Sequence, residues 1–259
     1  SISHGRLPCA FLGEYSGGMK RLLPILLLVF SVGVGAETKA SVLLRTTASA
    51  TGDKMMNDNI KEAVIECKCG CSALTIADGK AILCFECGCE DCRQALQWGY
   101  KNGGVEPDLL PRVYYMRSDI VDIKGKGHMK AFKLRQVGRS TRIYCMKCYS
   151  VLGVDHPVYE SNVFLNFPKY CNNGGDLSTP LAAYIHMADY SDDDPFPTED
   201  VPLFVSTRFP QERQRLLSIP AVGNAWKKPT EPIKGMTLTS LIESLGSVTV
   251  LELVKGETV

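Results

Sequence analysis

Hydrophobic and polar positions alternate in short runs between about residue 60 and residue 205, a pattern typical of β-strands rather than helices. Only one helical turn is predicted, at residues 93–100. An Asp-Gly turn at residues 77–80, of the kind found in hairpins, separates the second run from the third. The predicted strands are 63–67, 72–76, 81–85, 113–116, 131–134, 141–144, 163–167 and 182–187. The sequence therefore predicts a mainly β domain over residues 60–205.

Residues 206–259 lose this alternation and are interpreted as a C-terminal extension of unknown role. Pro229, Pro232 and Gly235 are typical of a linker. After that linker the pattern predicts a short helix at residues 238–245 and a strand at 248–254.

Residues 1–59 show no comparable pattern and are predicted to be a signal-like, transit-like or non-structural segment. Residues 19–36 combine a basic start, an apolar run and small residues at Val34 and Ala36, as signal peptides do. The apolar run is shorter than the roughly 20 residues of a membrane span, so no stable membrane anchor is expected. The following Ser/Thr-rich residues, 38–51, favour an organelle or the secretory route, whereas a start at Met55 or Met56 would favour the cytoplasm.

Cysteine is the unusual feature of the composition: the chain of 259 residues contains eleven cysteines. Its formal net charge is only +1. A nearly neutral chain gives no reason to expect a nucleic-acid partner. The odd cysteine count and the Cys-x-Cys spacings favour metal thiolates over disulfides. Cys67, Cys69 and Cys71 are expected to alternate along a strand and to share one face. A secreted disulfide-rich module remains the alternative.

The first candidate site combines two cysteine pairs that hairpin pairing would bring together: Cys67, Cys69, Cys145 and Cys148. Four thiolates complete a tetrahedral zinc shell and leave no position for a substrate. This zinc is therefore predicted to be structural. The alternative is that both pairs are buried free thiols.

The second candidate site is a tight loop that carries Cys87, Cys89 and Cys92, with Gly88 relaxing its backbone. Three protein ligands leave the fourth position of a zinc to water or substrate, as in catalytic zinc sites. The competing hypothesis is that Cys84 or Cys71 closes the shell. Two zinc ions per chain are expected in either case.

Other chemistry-bearing residues give weaker signals. Arg93, beside the second site, is a candidate for binding a substrate carboxylate, with a surface ion pair as the alternative. Residues 192–194 are interpreted as a solvated acidic loop. Packed or exposed side chains without a functional role are expected at His128, His156, His186, Cys9 and Cys171.

The order Cys-x-Cys-Gly, Cys-x-Cys-x-x-Cys-Arg and Tyr-Cys-x-x-Cys resembles the glutathione-dependent formaldehyde-activating enzyme (GFA) family, which includes the centromere protein V (CENP-V) group. The resemblance covers residues 60–205. It implies an Mss4-like β-tent of antiparallel sheets, a structural zinc on the first site and a catalytic zinc on the second. The implied activity is that of a carbon–sulfur lyase, joining formaldehyde to glutathione or acting on a similar small thiol adduct.

Two positions depart from the pattern of that family. Gly88 stands where its members usually carry His, and Tyr149 stands where they usually carry Gly. Neither change removes a thiolate. The alternative function is a non-enzymatic, zinc-stabilised binding module that resembles centromere protein V.

Overall fold

The computed structural model describes residues 61–191, 193–195, 197–225 and 231–256. These residues form twelve strands and four α-helices, joined by turns and four short 3-10 helices. The strands are β1 (Ala63–Glu66), β2 (Ala73–Ile76), β3 (Leu83–Cys87), β4 (Arg112–Arg117), β5 (Ile120–Lys124), β6 (Met129–Lys133), β7 (Thr141–Cys145), β8 (Val151–Asp155), β9 (Val163–Asn166), β10 (Asn172–Asn173), β11 (Leu181–Ile185) and β12 (Val248–Val250). The helices are α1 (Glu90–Lys101), α2 (Pro210–Leu217), α3 (Pro220–Ala225) and α4 (Leu238–Ser244).

The strands form two sheets, so the prediction of a mainly β chain is confirmed. The smaller sheet has the order β10-β1-β2-β5 and the larger has the order β11-β3-β4-β9-β8-β7-β6-β12. All pairs in the smaller sheet are antiparallel. In the larger sheet, β11 with β3 and β12 with β6 are parallel, so that sheet is mixed. The Mss4-like β-tent, a finer expectation, stays a prediction.

The larger sheet is buried on both faces near its middle. Leu83 and Phe85 of β3 face one core cluster, while Cys84 between them faces another. The next strand alternates in the same way, with Val113 and Tyr115 on the Phe85 side. A sheet covered on both faces needs near-continuous apolar runs, and β4 and β8 have such runs.

Several local predictions were wrong in detail. Residues 77–80 do not join hairpin partners, because β2 belongs to the smaller sheet and β3 to the larger. Strands β5 and β8 were missed, the second because Gly153 interrupts its apolar run. The helical turn predicted at residues 93–100 is part of a twelve-residue helix, α1.

Residues from the predicted C-terminal extension add to the core. Helix α4 buries Leu238 and Leu241 completely, and β12 pairs with β6 at the edge of the larger sheet. The short helix and strand predicted there are observed as α4 and a shorter β12.

Within the described ranges, none of the helices is long and apolar enough to cross a membrane. The signal-like residues 19–36, the transit-like residues 38–51, Met55, Met56 and Cys9 lie outside those ranges.

Candidate metal centres

Two six-residue turns of similar construction hold the first cysteine group. In one turn, the Cys67 amide donates to the Ser72 carbonyl at 2.9 Å. In the other, the Cys145 amide donates to the Ser150 carbonyl at 3.0 Å. The turns also contact each other, since the Lys68 amide donates to Ser150 Oγ at 2.9 Å. One turn follows β1 of the smaller sheet and the other follows β7 of the larger, so this group joins the two sheets.

Each turn contains one residue in the left-handed region of backbone space. Gly70 has φ 71° in the first turn and Tyr149 has φ 52° in the second. Glycine suits such a conformation because it has no Cβ, whereas other residues are strained there. The Tyr149 ring stacks on Tyr144, with centroids 5.7 Å apart, and meets Trp98 edge-on. This aromatic packing offsets part of the strain at a position where the resembling family usually has glycine.

The four sulfur atoms of this group lie within 4.8 Å of one another. Cys67 Sγ is 3.4 Å from Cys69 Sγ, which is 3.7 Å from Cys145 Sγ. A disulfide requires about 2.05 Å, whereas four thiolates at about 2.3 Å from one zinc would be about 3.8 Å apart. The group of Cys67, Cys69, Cys145 and Cys148 therefore fits a tetrahedral metal ion.

Protonation within the first group is uneven. Burial raises the pKa of the Cys67 thiol to about 12. Burial also opposes ionisation of Cys148, but hydrogen bonds with Ser150 and Cys69 together outweigh it and lower the pKa of Cys148 to about 6. Neighbouring thiolates repel one another, so a bound cation would favour deprotonation of the whole group.

The expectation that Cys67, Cys69 and Cys71 share the face of a strand was wrong. Strand β1 ends at Glu66, and the turn at Gly70 separates Cys71 from the group. Cys71 is partly exposed and is absent from both metal-ligand groups.

The second group lies where β3 passes into α1. Cys87 is the last residue of β3, Cys89 is the N-cap of α1, and Cys92 lies in its first turn. Their three sulfur atoms are also within 4.8 Å of one another. The predicted loop is therefore partly helical. A helix N-terminus is a favourable place for thiolates, because its free amides and dipole stabilise negative charge.

Hydrogen bonds within this group shift the pKa values of its thiols in opposite directions. Contacts with Cys87 and Cys92 lower the pKa of Cys89, while the contact with Cys89 raises the pKa of Cys87. Three cysteine sulfurs close together are a donor set that fits a soft divalent ion such as zinc.

Neither cysteine suspected of closing this second shell joins the group. Cys84 faces the opposite side of β3, in a separate core cluster, and burial raises its pKa to about 11. Among the described residues, no fourth Cys, His, Asp or Glu atom lies within 4.8 Å of all three sulfurs. The first group thus offers four ligands and the second offers three.

The segment after β11 packs directly on the second group. The Gly88 amide donates to the Ile185 carbonyl at 2.9 Å. A Cβ added at Gly88 would lie 3.1 Å from the His186 carbonyl and 3.1 Å from Tyr190 Cβ. A side chain at this position would therefore fit only if this segment moved by a few tenths of an ångström.

Arg93 is held by the same segment. Its Nη2 donates to the Asp189 carbonyl, and its Nη1 lies 3.9 Å from the Asp194 carboxylate. The structure thus shows an ion pair for Arg93. A role in binding a substrate carboxylate remains a prediction.

The other weak candidates make local contacts. His156 Nδ1 accepts from the Val158 amide, and His186 Nε2 lies 2.9 Å from Thr207 Oγ1. Cys171 is a buried thiol that accepts from Asn166 Nδ2. No histidine in the described ranges belongs to either cysteine group, and this includes His128. Asp192 lies outside those ranges.

Sequence reasoning missed the polar groups behind the second site. Arg142 is only 3% exposed, and its charge interacts with Cys92 and Cys89. The hydroxyls of Tyr115 and Tyr159 lie 3.2 Å apart, and burial raises the pKa of both. The available signal was an arginine in a short strand that runs directly into a cysteine pair.

Comparison with known proteins does not assign a family. No protein-family model matches the chain, and a search of curated proteins finds no match.

Proposed function

We propose that this protein is a two-zinc carbon–sulfur lyase that acts on glutathione or a similar small thiol adduct. The observation that carries the proposal is the difference between its two cysteine groups, which offer four and three ligands. Four thiolates saturate a zinc ion, whereas three leave one position for an exogenous ligand. The cysteine order that resembles the GFA family supports the same division.

The first centre stabilises the fold. Cys67 and Cys145 are both fully buried, and their turns belong to different sheets. An ion bound there would cross-link elements far apart in sequence and contribute binding free energy to folding.

The second centre supplies the chemistry. Cys87, Cys89 and Cys92 would hold the zinc, which would favour the thiolate form of a substrate thiol. In the proposed reaction, that sulfur attacks the carbon of formaldehyde, and the carbonyl π electrons move to oxygen, which then takes a proton. The product is the S-hydroxymethyl adduct of the thiol, a hemithioacetal, and the reverse reaction releases thiol and formaldehyde. The chain contributes orientation and proximity.

The packing of residues 185–190 on the turn at Gly88 favours a second function, that of a binding module. Cys87 is 4% exposed, and residues 185–190 pack on the turn that carries it. A metal centre that no substrate could reach would make the protein a zinc-stabilised binding module, as the resemblance to centromere protein V also allows.

Metal analysis combined with thiol binding separates the two functions. The full chain is purified under reducing conditions and its zinc is counted, with two per chain expected. Cobalt-substituted protein is then titrated with glutathione. A change in the visible cobalt spectrum that is lost in C87S supports the lyase, since it shows an exchangeable fourth position. Two metals with no response to any small thiol would favour the binding module.

A further inference from the structure

Arg142 is a buried cation near the centre of the larger sheet. It lies on β7, and its side chain is almost fully removed from water. The guanidinium Nη1 donates to the Ser140 carbonyl at 3.3 Å, and Nη2 donates to the Asp91 carbonyl at 3.2 Å. It also lies 5.8 Å from the centre of the Phe132 ring. These contacts satisfy some of its N–H groups but bring no full negative charge.

No carboxylate within the described ranges forms an ion pair with Arg142, which sets it apart from two other largely buried arginines. Arg135 Nη1 lies 2.7 Å from Asp91 Oδ1, and Arg117 Nε lies 3.0 Å from Asp119 Oδ2. A buried charge without a compensating charge is strongly unfavourable. The Asp91 carboxylate is already paired with Arg135, and its attraction for Arg142 is smaller than those of Cys92 and Cys89, so the remaining counter-charge is expected from these thiols.

The second cysteine group lies close enough to Arg142 to supply this counter-charge. Side chains alternate along a strand, so Arg142 points away from the face to which neighbouring Ile143 and Cys145 contribute. The hydrogen bond to the Asp91 carbonyl places the guanidinium beside the first turn of α1, immediately before Cys92.

The charge of Arg142 matches the net charge expected for a metal ion bound by this group. Three thiolates and one divalent ion carry a net charge of −1, which the single positive charge of Arg142 cancels. A fourth ligand that is itself a thiolate then leaves the site at −1 instead of −2. In the first group, by contrast, Cys69 is exposed to water, which screens its charge.

We propose that Arg142 is the buried counter-ion of the second metal centre and that it favours one anionic thiolate as the fourth ligand. Arg142 is a positioning residue here, because it acts through the charge of the centre. The inference rests on the proposed function, since it requires a metal ion on Cys87, Cys89 and Cys92.

The test is a cobalt(II) titration of the full chain, followed through the sulfur-to-cobalt charge-transfer bands. C87S identifies the part of the spectrum that belongs to the second centre. R142M, similar in length and uncharged, is compared with R142K, which keeps the charge. R135M is the matched control, because Arg135 contacts the same helical turn but has a carboxylate partner.

We expect R142M to weaken cobalt binding at the second centre about 10- to 100-fold, the usual effect of losing a partner outside the ligand shell. Cobalt at the first centre should bind as in the wild type. R142K should restore most of the lost affinity. Glutathione should shift the spectrum of wild type and R135M at concentrations at least tenfold lower than those needed for R142M.

Equal cobalt affinity and an equal glutathione response in R142M and wild type would overturn the inference and leave the proposed function standing. A wild type that binds only one cobalt would instead remove the second centre and with it the proposed function. If R142M does not fold, R142K decides, because a tenfold loss with the charge retained would refute a counter-ion role. If neither variant folds, the Arg142 side-chain NMR signal of the wild type decides: it should shift on metal loading, and an unchanged signal would refute the proposal.

Discussion

Replacing Cys145 by Ser tests whether the first metal centre holds the fold together. Cys145 is fully buried at the end of β7, and its partners Cys67 and Cys69 lie in the turn that follows β1. Loss of this ligand therefore weakens a connection between the two sheets. A closed four-ligand zinc contributes about 10–16 kcal/mol in zinc-finger peptides. If three remaining thiolates keep half of that, the folded state still loses about 5–8 kcal/mol.

That loss is comparable with the whole stability of a typical domain, about 5–15 kcal/mol. We expect C145S to unfold at much lower urea concentration than the wild type, or to be unfolded without denaturant. The assay is urea unfolding followed by circular dichroism, with zinc counted in the same samples.

Cys171 provides the matched control, because it is equally buried but lies outside both cysteine groups. C171S exchanges the same atoms and should cost about 1 kcal/mol, the value of one hydrogen-bonding group. If C145S loses no more stability than C171S, or keeps its full zinc content, the structural role of the first centre is refuted.

Four further predictions concern the centres and their surroundings. C87S should unfold at nearly the wild-type urea concentration but bind one zinc fewer, because its group lies at one helix end; unfolding as severe as in C145S would contradict this. A chelator should remove zinc in two phases, the three-ligand centre first, as a colorimetric zinc indicator would record; one phase would argue against unlike centres. G125A should lower the free energy of unfolding by about 3 kcal/mol or more, because Gly125 has φ 64° and a Cβ there would lie 1.8 Å from the Cys71 carbonyl oxygen. The control in the same thermal melts is G127A, because a Cβ at Gly127 meets nothing within 4 Å. Burial lowers the pKa of His156, so the stability that neutral His156 contributes should be lost as pH falls below about 6.5. The urea midpoints of H156N and wild type should therefore converge in acid. A difference between the midpoints that does not change with pH would be inconsistent with the lowered pKa.

Spacing and periodicity predicted much of the ligand geometry. Cys-x-Cys and Cys-x-x-Cys pairs are local features, so the sequence alone could place Cys67 with Cys69 and Cys145 with Cys148. The pairing of strands in one hairpin, which was expected to join the two pairs, is not what joins them: β1 and β7 belong to different sheets, and the turns that follow these strands contact each other directly. What spacing could not reveal was the turn at Gly70, whose left-handed backbone removes Cys71 from the group.

Other features depend on contacts between distant residues. Helix α1 was underestimated because its N-cap is a cysteine side chain, which accepts from the Cys92 amide and which helix-start rules do not favour. The environment of Arg142 arises only when the fold brings it to Asp91, a separation of 51 residues. Local sequence patterns do not predict a contact between residues so far apart in the chain.

The position of α4 also affects how the protein is assembled during synthesis. All four thiols of the first group have been made once residue 148 is added, but Leu238 and Leu241, which share a core cluster with Cys67 and Cys145, come much later. At about 5–20 residues per second, the ribosome needs roughly 5–20 s to bridge that gap. During this interval the nascent thiols lack the part of their apolar surroundings that α4 supplies. Metal capture and oxidation would then compete for the same sulfurs, so the supply of free zinc at the ribosome would influence how many chains mature correctly.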